Sequence, residues 1–159
     1  MAADTLMRMR RKGSSISATK VGKKSPTNSG PRRRVLEEDE VTAFDHISDG
    51  LCRRVRLIRT NLLPPAADGM TIGRFVLMRD DHIEHRASTL LAHELVHVRQ
   101  FAEMGMPRFL AAYFGSYFKN LLKSKNHRQA YLDIPLEIEA RKEAGSWAKA
   151  RAGKPSKQG

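Results

Sequence analysis

A chain of 159 residues with a single cysteine can build one hydrophobic core but not two, and an intramolecular disulfide framework is excluded. No run approaches the roughly 18 apolar residues that a membrane span needs. The net charge of +12 would suggest a nucleic-acid binder if it were spread over the fold, but ten Lys or Arg fall in residues 1–34 against Asp4 alone, and four more fall in 149–159 with no acid, leaving 15 basic and 16 acidic residues between 35 and 148.

Residues 1–34 mix Ser, Gly, Pro, Lys and Arg with few large apolar side chains. Such a segment cannot bury enough surface to offset the entropy of ordering, so it reads as a disordered basic tail, and residues 149–159 read the same way. The start lacks the apolar core of a secretory signal, which makes a cytoplasmic protein the expectation. The tails can also touch nucleic acid or an anionic surface, although a solubilising role is the plainer reading. The folded part is expected over 35–148.

Within it, Val41, Phe44, Ile47 and Leu51 recur at helical spacing behind a cluster of acids, predicting an amphipathic helix over 36–55. Residues 53–60, "RRVRLIRT", alternate basic and apolar and suit a half-exposed strand. The Pro- and Gly-rich "NLLPPAADG" connects it to "MTIGRFVLMR", residues 70–79, which predicts a second strand and hence a small sheet. In "RDDHIEHR", residues 79–86, Asp81 and Glu84 stand at capping-box spacing, a plainer reading than a metal cluster of Asp80, Asp81, His82, Glu84 and His85. From about Ala87 the period is helical, up to Gly105 as a C-cap, and Pro107 suits the first turn of the next helix, 107–125. Pro135 interrupts the last segment and predicts a break before a final helix, in which Trp147 joins Ala140 and Ala144 as a packing anchor. The fold class is therefore α+β.

The chemistry concentrates in "LLAHELVHVRQ", residues 90–100, which contains H-E-x-x-H. On a helix His93 and His97 lie one turn apart on one face and can offer imidazole nitrogens to a single Zn2+. Glu94 is rotated by about 100° from His93, beside the ion, where a carboxylate can take a proton from a metal-bound water and return it to a leaving amine. A hydrolytic zinc site needs a third protein ligand. No histidine follows at the spacing of the three-histidine class, and "IPLEIEARKEA" supplies two acids, Glu137 and Glu139, of which only one can face the ion.

H-E-x-x-H followed by a helix carrying "EIEA" resembles the gluzincin metallopeptidases. "TIGRFVLMR" ahead of "LLAHELVHVRQ" resembles more closely the extracellular contractile injection system core domain, also called domain of unknown function 4157. The resemblance covers roughly residues 55–148. It implies a small zincin-like fold, with an N-terminal helix and a short sheet followed by three or four helices. It also implies a zinc metallopeptidase acting on a peptide or protein, with His93, His97 and Glu137 as ligands and Glu94 as general acid and base. Arg141 departs from the family pattern, standing where gluzincins often have an Asp, and is expected to pair with Glu137 as a helix ion pair; Glu139 is the reserve ligand. A second expectation is an inactive zincin fold serving as an interaction module recruited through its tails. Tyr113, Tyr117, His127 and Tyr131 are candidate donors to an oxyanion forming at the metal, although a core or surface role is the plainer reading of each, and Arg99 and Gln100 are candidate orienters of groups behind the ligands.

Overall fold

The structure, a computed structural model, describes residues 33–64, 67–79 and 87–153. The described residues all belong to one compact unit, Pro31–Gly159. The expected tail over 1–32, its counterpart over 154–159 and the acidic and histidine cluster of 80–86 lie outside the described residues. Arg33 and Arg34, expected to be the end of the tail, instead form a short strand, β1 (Arg33–Arg34).

The expected single helix over 36–55 is two short ones, α1 (Glu38–Ala43) and α2 (Asp49–Cys52). The break falls in "FDHIS", where Asp, His and Ser favour turn geometry and Ser48 becomes the N-cap of α2. The apolar positions keep their expected burial, because Val41, Phe44 and Ile47 all enter the core. Buried Glu40 is held by a two-pronged ion pair with Arg34 at 2.6 and 2.8 Å, which ties β1 to α1.

Strand β2 (Arg56–Arg59) is followed by β3 (Gly69–Ile72) and β4 (Phe75–Met78). The stretch expected as one strand over 70–79 is thus a hairpin. Gly73 sits at φ +60°, a left-handed conformation that glycine adopts without strain, and it reverses the chain there. The sheet order is β1-β2-β4-β3, with β2 and β4 parallel and the other two pairs antiparallel, so β3 lies at one edge.

Helix α3 (Thr89–Met104) carries the H-E-x-x-H residues. Its N-cap is Ser88, whose hydroxyl accepts from the Leu91 amide at 3.1 Å, and Gly105 closes it as expected, at φ +74°. Helix α4 (Met106–Ser124) starts with Pro107 in its first turn, and α5 (His127–Leu132) is capped by the Asn126 side chain. The break at Ile134 is where Pro135 places it, and α6 (Pro135–Ala152) begins there. It runs past 148, the expected end of the folded part, so Lys149 and Arg151, expected in the tail, form its last turn, where cations favour the helix dipole. No described helix is long and apolar enough to cross a membrane.

The core joins one face of the sheet to α3 and α6 through Val55, Leu57, Val76, Met78, Leu91, Leu95, Val96, Ala140, Ala144 and Trp147. Trp147 is the anchor expected of it: its ring stacks on Phe44 at 5.1 Å between centroids, and its indole N–H donates to the Ala43 carbonyl at 2.7 Å. Cys52 is buried in the same core, and burial pushes its thiol up to about 11, so it packs as a small apolar group.

Candidate metal centre

Helix α3 lies between β3 and α6, and the three elements supply the site. His93 and His97, one turn apart, bring their Nε2 atoms to 3.1 Å from each other. From α6, Glu137 brings one carboxylate oxygen to 3.4 Å from His93 Nε2 and the other to 3.4 Å from His97 Nε2. These three side chains form a group able to hold a metal ion, with ligand atoms all within 4.8 Å of one another. A tetrahedral ion with bonds of about 2.0–2.1 Å needs its ligand atoms about 3.3 Å apart. The Nε2 pair at 3.1 Å and the two imidazole–carboxylate distances of 3.4 Å, each made to a different oxygen of Glu137, lie near that spacing. His97 and Glu137 are buried and His93 is half-buried, so the group faces outward on one side.

Glu137 is the acid that turns to the histidines, and Glu139 is not. Glu139 accepts from Arg99 at 2.8 Å and from Gln100 at 2.9 Å, on the neighbouring flank of α6. Two tyrosine hydroxyls hold the Glu137 carboxylate, Tyr113 from α4 at 2.8 Å and Tyr131 from α5 at 2.9 Å. Burial alone would raise the Glu137 carboxyl, but the two imidazoles against it hold it well below the usual carboxylate range. Burial and the adjacent Glu137 carboxylate push both tyrosine hydroxyls upward, so they stay protonated and donate. Arg141 lies 3.6 Å from Glu137, the expected helix pair, while also donating to the Leu132 carbonyl. The orienting role open at position 141 is thus met by Tyr113 and Tyr131. Tyr117 and His127 instead pair with each other at 2.7 Å.

Gln100 is fully buried and bridges α3 and α6. Its amide N–H2 donates to the Leu136 carbonyl at 3.1 Å and to Glu139, so its Oε1 must accept, and it lies 2.8 Å from His97 Nδ1. His97 therefore carries a proton on Nδ1, and in the neutral imidazole its Nε2 lone pair faces Glu137 and His93. Arg99 extends the tie through Glu139 and Glu143, each at 2.8 Å. Burial disfavours the imidazolium of His97, yet the Glu137 and Glu94 carboxylates outweigh it and raise His97. Replacing Gln100 by Leu keeps the volume but leaves His97 Nδ1 and the Leu136 carbonyl without this partner. Metal affinity, measured by chelator competition, is expected to fall about 10- to 100-fold; unchanged affinity would contradict the bridge.

Glu94 is buried and points to the sheet rather than into the ligand group. The Thr71 hydroxyl lies 2.7 Å from Glu94 Oε2 and 3.1 Å from the Glu94 carbonyl. Its carboxylate packs so closely on β3 that a Cβ on Gly69 would stand 2.8 Å from Oε1. Burial raises the Glu94 carboxyl, against the lowering influence of His93, His97 and the Thr71 hydrogen bond. Gly69 and Thr71, which pack on and hydrogen-bond the Glu94 carboxylate, are not singled out by the sequence, though "TIG" ahead of the helix contains Thr71.

Residues 60–105 match the family model described as the eCIS core domain. The match covers β3, β4 and all of α3, with Gly69, Thr71, His93, Glu94, His97 and Gln100, and it stops short of α6 and Glu137. No curated protein and no solved structure matches the chain.

Proposed function

We propose that the chain is a zinc-dependent metallopeptidase that hydrolyses peptide bonds, with His93, His97 and Glu137 as ligands and Glu94 as general base and acid. The observation that carries this reading is the convergence of two Nε2 atoms and a carboxylate at 3.1–3.4 Å, beside a carboxylate tied to a different element. Two imidazoles and one carboxylate suit zinc, and three protein ligands leave a position open, as hydrolytic zinc sites do. Zinc bound there would act as a Lewis acid on water and on a substrate carbonyl.

The chain's own residues supply the rest. Glu94, locked against Gly69 and Thr71, takes the proton of the attacking water at its carboxylate and delivers it to the leaving amine. Its burial raises its proton affinity, which favours holding the proton in transit. Tyr113 and Tyr131 keep Glu137 oriented, and Gln100 keeps His97 Nε2 forward. A peptide substrate is favoured by the strand that holds Glu94. β3 pairs only with β4 among the described residues, and an extended peptide can add to such an edge. The test is cleavage of a peptide library by the zinc-loaded full chain, compared with Glu94→Gln. Cleavage confined to the unaltered chain and stopped by chelator supports the reading, whereas equal cleavage by both chains ends it.

A further inference from the structure

Helix α4 presents two faces with different duties. On one, Phe109 packs edge-on to His97 with centroids 6.1 Å apart and Tyr113 holds Glu137. On the other, Met106, Leu110, Phe114, Phe118 and Leu122 recur every fourth residue and stand in solvent, with exposure rising from 39% at Leu110 through 50% at Phe114 and 57% at Phe118 to 81% at Leu122. A run of large apolar side chains left open at this spacing marks an interaction surface rather than scattered surface residues.

Charge narrows the partner. From Met104 to Leu132 the chain has no acid and five cations, Arg108, Lys119, Lys123, Lys125 and Arg128. All five are exposed, and none makes an ion pair with another described residue. A second copy docked on this face would set cations against cations. The partner must be anionic and must accept apolar side chains from the outward flank of a single helix, without a groove to define its shape. A membrane surface bearing anionic lipids meets both requirements: aromatic and leucine side chains enter the headgroup boundary, and lysine stems reach back to the phosphates.

We propose that the Leu110–Leu122 flank of α4 docks the protein on anionic lipid surfaces. The helix lies in the interface and does not cross it. Because Phe109 and Tyr113 stand only about 100° around the same helix from Leu110 and Phe114, with the Tyr113 and Phe114 rings 5.7 Å apart between centroids, docking holds the candidate metal centre beside the lipid, within about one helix diameter, roughly 10 Å. On the peptidase reading, its substrates are then segments presented at a membrane surface; the docking itself does not depend on that reading.

The experiment uses the full chain with vesicles of phosphatidylcholine, with and without phosphatidylserine. Sedimentation is expected with the anionic vesicles only, and Phe114→Ser combined with Phe118→Ser is expected to weaken binding about tenfold or more while helical circular dichroism is unchanged. In the Leu122→Trp chain, tryptophan emission should shift to the blue on binding and be quenched by brominated acyl chains. The buried Trp147 of the unaltered chain serves as the baseline. Equal vesicle binding by the double variant would overturn the proposal, because the basic tails alone would then account for it. So would unshifted Leu122→Trp emission on bound vesicles, or binding to an acidic amphipathic peptide with none to vesicles.

Discussion

Glu94→Gln is expected to lower kcat/KM for peptide cleavage by about 10²- to 10⁴-fold, the usual contribution of a positioned general base, with zinc content unchanged. The amide keeps the size of the carboxylate and can still accept from the Thr71 hydroxyl, which lies 2.7 Å from Oε2. It cannot take up a proton. A weaker loss of the same kind is expected for Gly69→Ala, since the new methyl would stand 2.8 Å from Glu94 Oε1 and 3.2 Å from Cγ, and either β3 or the carboxylate must move. Neither residue is in the ligand group, so falling activity at constant zinc is the diagnostic pattern. Undiminished cleavage by Glu94→Gln would remove Glu94 from the chemistry.

Trp147→Ala is expected to cost about 3–5 kcal/mol of stability, the range for truncating a buried aromatic. The ring is 5% exposed, stacks on Phe44 and receives the Arg151 guanidinium 5.3 Å from its centre, and its N–H satisfies the Ala43 carbonyl. Truncation opens a cavity where α6 meets the segment after α1 and withdraws a hydrogen bond at the same time. Urea unfolding in the presence of chelator measures the loss without the added stability that a bound metal confers. A loss below about 1 kcal/mol would mean the core closes over the gap.

The helix carrying H-E-x-x-H was legible because its signals agree: the motif's spacing, an apolar period and Gly105 at the end all describe one element. The choice between Glu137 and Glu139 was harder, as spacing says only that the two diverge. A further signal lay in α6 itself. Glu137, Ala140, Ala144 and Trp147 fall at intervals of three, four and three, one stripe facing the core, and all four are buried. Trp147 therefore fixes the rotation of α6 that turns Glu137 to the histidines and leaves Glu139 to Gln100 and Arg99. Glycines hid more. In "MTIGRFVLM" the apolar, β-branched residues on both sides of Gly73 suit one strand as well as two, and only the left-handed backbone at Gly73 decides for the hairpin. At Gly69 the need for a missing side chain arises from a contact with α3, distant in sequence, which no local pattern encodes. The break between α1 and α2 was foreshadowed by Asp45, His46 and Ser48, but the continuing apolar period masked it.

Metal analysis of the purified full chain after equilibration with zinc tests the central claim most directly. Stoichiometric zinc is predicted for the unaltered chain and for Glu139→Ala, and its loss for His97→Ala and Glu137→Ala, since among the described residues only His93, His97 and Glu137 bring their ligand atoms together. Substoichiometric zinc that does not change on His97→Ala, or zinc retained by Glu137→Ala and lost by Glu139→Ala, would contradict it.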